Sequence, residues 1–150
     1  MRRAIKIMRS VAYAGRPRHT LDVCRPVDVV AAPVVVFFYG GGWRRGNKRL
    51  YRYVANALAR RGYVAVVPDY RIYPEARYPD FLEDAALAIR WVKDNAARFG
   101  GDPDKIFLQG HSAGAHIAAM LAIDGRWLHQ VGLASPGRTI SCRCGTKYCK

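Results

Sequence analysis

Between residues 34 and 124 the chain alternates short, continuous apolar runs with segments whose apolar positions recur every three or four residues. That alternation predicts βαβ units around a mostly parallel sheet. Residues 34–39 (VVVFFY) form an unbroken β-branched and aromatic run, the pattern of a strand covered on both faces. Residues 63–68 (YVAVVP) predict a second buried strand, broken by Pro68, and residues 105–109 (KIFLQ) a third. Between the first two, Asn47 is placed to cap a helix with Leu50, Val54, Ala57 and Leu58 on its apolar side and Gly62 at its end. Before the third, Asp80 with Glu83 three residues on reads as the N-cap of a capping box. The stripe that follows is Phe81, Ala85, Ile89, Val92, Ala96 and Phe99, closed by Gly100-Gly101. Residues 113–123 (AGAHIAAMLAI) are apolar nearly all round, which predicts a helix buried in the protein's centre. Upstream, residues 10–25 predict a hairpin on the sheet's edge. Periodicity stops near Ala134, so a domain over 1–133 and an irregular tail over 134–150 are expected.

The composition fits one domain with a real core: 150 residues, 51% of them hydrophobic. The formal charge of +14, from 25 Lys and Arg against 11 Asp and Glu, raises the question of nucleic acid. The basic residues are scattered, however, apart from an acid-free run over 44–61, and no RNP-like motif, zinc finger or heptad accompanies them. A solvated basic surface is the expectation, with no nucleic-acid partner. The N-terminus lacks the apolar core of a signal peptide. The uncharged stretch Val29–Trp43 falls short of the ~20 residues of a spanning helix. No membrane span and a cytoplasmic location are therefore expected. Cys142, Cys144 and Cys149 form C-x-C-x4-C, but no fourth ligand lies nearby, so neither a metal nor another cofactor is expected.

The chemistry sits in two glycine-bounded segments. Gly110-His111-Ser112-Ala113-Gly114 has the G-x-S-x-G pattern between a β-rich run and an apolar helix. A serine exposed on a sharp strand-to-helix turn needs small neighbours two residues away on each side, so that strand and helix can approach. The helix dipole that follows favours negative charge developing at the turn. Tyr39-Gly40-Gly41-Gly42-Trp43 directly follows the first strand, and its unobstructed backbone N–H groups suit an oxyanion hole. A phosphate cradle is the rival for such a loop, but the G-K-[ST] ending and the dinucleotide spacing are both missing.

YGGGW, PDYR (68–71) and FGGDPDKIFLQGHSAGAHIAAML (99–121), at these spacings, resemble the α/β-hydrolase fold. They are most similar to its carboxylesterase branch, the hormone-sensitive-lipase-like and BD-FAE-like esterases, with kynurenine formamidases nearby. The resemblance covers about Val11 to Leu133. It implies the N-terminal half of an α/β-hydrolase: a mostly parallel sheet, helices on both faces and an N-terminal β-hairpin. It implies Ser112 as nucleophile, the N–H groups of Gly41, Gly42 and Ala113 as oxyanion hole, and a small-molecule ester as substrate. Tyr39, which stands where the family's HGGG has His, lines the pocket in this reading together with Trp43 and His111. Asp69, in PDYR, would serve a structural turn.

The acid and base are harder to find. In the family they follow the serine as Asp or Glu and then His, on later loops. Beyond Ser112 this chain offers Asp124, His116 and His129. His116 lies one helical turn along the central helix and is expected to point into packing; His129 has no evident route to the serine, and His19 belongs to the hairpin. The triad is therefore expected to be incomplete, with residues 134–150 reading as a truncated or frame-shifted tail. A catalytically inactive N-terminal fragment, or an amide hydrolase of formamidase type, is the alternative reading. An uncovered sheet edge at the third strand is expected to drive self-association.

Overall fold

A computed structural model describes residues 3–134. The chain runs β1 (Ile5–Ala12), β2 (Thr20–Pro26), β3 (Ala32–Phe38), α1 (Arg52–Arg60), β4 (Val64–Pro68), α2 (Asp80–Asn95), β5 (Gly101–Gly110), α3 (Ala113–Ile123) and α4 (Arg126–His129). The sheet order is β1-β2-β4-β3-β5. The hairpin strands β1 and β2 pair antiparallel, as do β2 and β4, whereas β3 pairs parallel with both β4 and β5. The expected N-terminal hairpin and the parallel strands with their helices are present, and the antiparallel pairings of β2 make the five-stranded sheet mixed. No helix among the described residues is long and apolar enough to cross a membrane.

Strand β3 is the centre of the molecule. Val34 and Val36 face Val64 and Val66 on one side, and Ile106 and Leu108 on the other. Val34, Val36 and Phe38 are fully buried. The chain leaves β3 toward β4 and later crosses back past β3 to β5. Right-handed crossovers in opposite directions put α1 and α2 on opposite faces, which opens a crevice at the carboxyl ends of β3 and β5. The YGGGW loop leaves the first of those ends and GHSAG the second.

Several local expectations shift in the structure. Asn47 does cap through its side chain, which accepts from Arg49 N, but what it caps is a single 3-10 turn, Lys48–Tyr51. That turn rephases α1, so Ala55 and Ala59 face the core while Leu50 is 62% exposed and Ala57 is exposed. Asp80 is the first residue of α2 rather than its cap, Pro79 holding the cap position; the Asp80 carboxylate accepts from Arg77 N. β5 begins at Gly101, four residues before the apolar run, because Gly101 pairs with Ala32 ahead of a register shift. The stripe on α2 is buried as its spacing predicts, through Ala96 and Phe99 to a left-handed Gly100 (φ 78°). The tail expected over 134–150, with its three cysteines, lies outside the described residues beyond Ala134.

The junction of β5 and α3 follows from close approach. A Cβ on Gly110 would run into the backbone of Gly114, and a Cβ on Gly114 into the carbonyl of Phe38 at the end of β3. His111 N donates to that same Phe38 carbonyl (3.1 Å), and Gly114 N to His111 O (2.9 Å), which closes the turn. Ser112 is thereby held at φ 53°, ψ −117°, a conformation that side chains rarely adopt.

Two outcomes are expected. Replacing Gly114 by Ala pushes α3 off β3 and lowers stability by about 2 kcal/mol, whereas Ser112→Gly relieves the strained backbone and raises it by about 1 kcal/mol. Thermal unfolding at fixed protein concentration checks the opposite signs, and no rise for Ser112→Gly would contradict the strain. Separately, β5 forms an edge of the sheet among the described residues, and Ile123 at the end of the neighbouring α3 is 79% exposed. An uncovered edge beside an apolar residue favours association. Light scattering behind size exclusion should find dimers or larger species; a monodisperse monomer is the contrary result.

Candidate active site

The glycine loop is folded back on itself and pressed against the serine turn. Arg44 N and Arg45 N both donate to Gly41 O, at 3.2 and 3.0 Å. Gly41 (φ 142°) has no room for a side chain, because a Cβ there would collide with the Arg45 carbonyl. A Cβ on Gly40 would sit 2.8 Å from His111 Nδ1 and 3.1 Å from Ser112 Cβ, so the loop backbone lies directly on the turn. Among the described residues, the N–H groups of Gly41, Gly42 and Ala113 donate to no acceptor. Free N–H groups on a loop and at a helix start, around an exposed serine, are the parts an oxyanion hole requires.

What fixes the loop is a buried polar cluster around Asp69. Its Oδ1 accepts from the Tyr39 hydroxyl (2.7 Å) and from Lys48 N (2.8 Å), and its Oδ2 accepts from Lys48 Nζ (2.9 Å). Lys48 Nζ also donates to Thr20 Oγ1, and Arg18 Nη2 donates to both the Tyr39 hydroxyl and Gly46 O. Tyr39 stands before the three glycines and Gly46 and Lys48 stand after them, so one carboxylate and one guanidinium tie down both ends of the loop. Burial, followed by the negative charge of Asp69, raises the Tyr39 phenol far above its ordinary range; burial also raises Tyr70, whose hydroxyl donates to Tyr39 O. These phenols act as neutral hydrogen-bonding struts.

Tyr39 therefore does not line a pocket. It is fully buried beneath the loop, stacked on Tyr70 with ring centroids 4.8 Å apart. In the family's His position, the phenol reaches down to Asp69. Asp69 holds this structural role rather than a triad role. PDYR signals a turn in the sequence, whereas Arg18 and Lys48, its partners from distant segments, carry no local signal. A second buried carboxylate, Asp84 on α2, pairs with Arg71 (2.8 Å) and His19 (2.9 Å), which removes His19 from the candidates for a base.

Trp43 and His111 stand at the surface of the site. Trp43 is half-buried at φ 58°, with its ring stacked on Phe81 (5.8 Å). His111 is exposed, its Nδ1 3.4 Å from the Tyr51 hydroxyl. His116 corrects the sequence reading: it is exposed, and its ring meets Trp43 edge-on at 5.5 Å and 90°. The helix is apolar almost all round, but the residue four positions after Ser112 lies on its open side. The Ser112 side chain makes no hydrogen bond to a histidine or carboxylate among the described residues. Among the described residues the structure thus brings together a strained serine, a glycine loop and free backbone donors.

The BD-FAE family profile matches residues 21–130. Carboxylesterase NlhH of Mycobacterium tuberculosis is 46% identical over 116 residues, which are 76% of this chain and 36% of that protein. The probable isoprenylcysteine alpha-carbonyl methylesterase ICMEL1 of Oryza sativa subsp. japonica is 44% identical over 115 residues, 76% of this chain and 27% of its own length. Esterase B of Lactobacillus rhamnosis superposes with a TM-score of 0.82 at 24% identity, covering 93% of this chain and 47% of that one, a likeness of fold. Esterase 2 of Thermogutta terrifontis superposes with a TM-score of 0.67 at 35% identity, covering 80% and 44%. The chain spans roughly a third or less of the length of these curated relatives, and just under half of the solved ones. With the profile matched over most of the chain, and GHSAG and YGGGW meeting at the carboxyl ends of β5 and β3, the chain belongs to the BD-FAE family, in the carboxylesterase branch of the α/β-hydrolase fold.

Proposed function

We propose that residues 3–134 carry the nucleophile and oxyanion hole of a carboxylic ester hydrolase. The observation behind this reading is the Ser112 backbone at φ 53°, which exposes the serine against Gly40 and beside the free N–H groups of Gly41, Gly42 and Ala113. The Ser112 hydroxyl attacks the ester carbonyl carbon, and the carbonyl oxygen becomes an oxyanion held by those N–H groups, with the N-terminal dipole of α3 adding to the field. Collapse expels the alcohol and leaves an acyl ester on Ser112, which water then hydrolyses. Each oxyanion donor of this kind is worth on the order of 10²–10³ in rate.

No side chain among the described residues accepts a hydrogen bond from Ser112, which supports placing the base outside 3–134. This favours a second reading for the 150-residue chain by itself: a binding-competent site with a nucleophile that is not activated. Loss of the base in such a triad removes about 10⁶ of the rate.

One experiment addresses both readings. The chain is incubated with a fluorophosphonate, a covalent trap for nucleophilic serines, and the adduct is followed by mass spectrometry from pH 6 to 10. The expected result is one adduct, on Ser112 and absent from Ser112→Ala. Its rate should climb with pH and show no plateau near 7, since no imidazole of ordinary pKa near 6.5 takes the proton. Labelling elsewhere, unchanged in Ser112→Ala, overturns the nucleophile. A plateau with an inflection near pH 6.5, together with p-nitrophenyl butyrate turnover lost more than 100-fold in Ser112→Ala, keeps the nucleophile and overturns the inactive reading.

A further inference from the structure

Beside the oxyanion loop lies an open groove of about 360 Å³. It begins at Gly42, its apolar wall includes Trp43, Phe81 and Tyr73, and its charged members are Arg44 and Arg77. The groove is bolted to the loop, because Tyr73 N donates to Trp43 O at 2.7 Å. Trp43 links it to α2 through the stack on Phe81, and to α3, which follows Ser112, through the edge contact to His116. The two guanidiniums converge on one ring: Arg44 Cζ lies 4.9 Å and Arg77 Cζ 5.8 Å from the Tyr73 centroid. Like charges brought to one aromatic ring repel each other and gain only modestly from it.

Neither guanidinium has a carboxylate within ion-pair reach among the described residues, whereas Arg18, Arg52, Arg71, Arg90 and Arg126 each have one. The acids nearest Arg77 in sequence are Glu75, which forms no ion pair with it, and Asp80, whose carboxylate accepts from the Arg77 backbone N–H. An apolar trough with two unpaired guanidiniums is complementary to an amphiphile with an apolar body and one anionic end.

We infer that this groove is the leaving-group or acyl subsite of the Ser112 site, and that it selects esters whose apolar portion ends in a carboxylate. The body of the substrate lies along Trp43 and Phe81. The carboxylate reaches Arg44 and Arg77 around Tyr73, and the reacting carbonyl is presented at Gly42. This inference rests on the ester hydrolase reading, and it names the substrate class.

Equilibrium binding tests it without turnover. The probes are 4-phenylbutyrate and its neutral amide, 4-phenylbutanamide, with affinities from ligand-observed NMR at 150 mM salt and location from quenching of Trp43 fluorescence, assigned with Trp43→Phe. The acid is expected to bind at least 10-fold more tightly than the amide. Arg44→Gln and Arg77→Gln should each reduce that preference at least 3-fold, while Arg98→Gln, on an exposed arginine remote from the groove, should leave it unchanged. Circular dichroism confirms that each variant is folded. Equal binding of acid and amide, an undiminished preference in both groove variants, an equal loss in Arg98→Gln, or quenching that persists in Trp43→Phe would each overturn the assignment. Absence of detectable binding at millimolar acid overturns it as well. Failure of Ser112 to label with fluorophosphonate removes the hydrolase reading but leaves this preference measurable, so the two failures are distinguishable.

Discussion

Everything at the site depends on how closely α3 approaches the end of β3. Gly114 lies against the Phe38 carbonyl with no space for a single methyl group, and Gly110 lies as closely against Gly114. Any larger residue at either position would move the helix outward and let the turn relax. The strain at Ser112 persists because parallel pairing of β5 with β3 on one side and packing of α3 on the other leave the turn no alternative. The same approach sets Gly40 against His111 and Ser112, so one steric condition builds the serine turn and the wall of the glycine loop together.

The loop itself is held by charge rather than by packing. Asp69 and Lys48 are buried, and their ionic atoms are all engaged: Asp69 by Tyr39 and Lys48, and Lys48 by Asp69 and Thr20. A buried ion pair adds little net stability, yet it is strongly destabilising to break, because the survivor is left uncompensated. Such a cluster therefore specifies one loop conformation. The proposed oxyanion role requires this, since donors that must reorganise during the reaction lose most of their value. Asp84 does the same further out, tying α2 to Arg71 and to the hairpin through His19.

Strand and helix identities were legible because periodicity reports burial directly. Continuous apolar runs became β3, β4 and β5, and AGAHIAAMLAI became α3 with the same bounds. Local cues mislead where they compete. Asn47 was a correct cap, but a 3-10 turn intervened and rotated the apolar face of α1. Asp80 and Pro79 both suit a helix start, and the rigid ring took the cap. His116 was read as packed because its helix is apolar, although a helix buried on most sides still has one open face, and that face looks onto Trp43.

The sequence by itself determined the class of fold, the serine turn and the glycine loop, because each depends on residues adjacent in the chain: glycines at fixed offsets, an apolar run before, an apolar helix after. It could not determine that Tyr39 points away from the pocket, that Arg18, Lys48 and Asp69 together anchor the loop, or that Arg44 and Arg77 meet at Tyr73. Those contacts join segments 21 to 52 residues apart in the anchor and up to 33 in the groove. Only crossovers to opposite faces of the sheet, which carry β3 and β5 side by side, bring such distant segments within hydrogen-bonding reach.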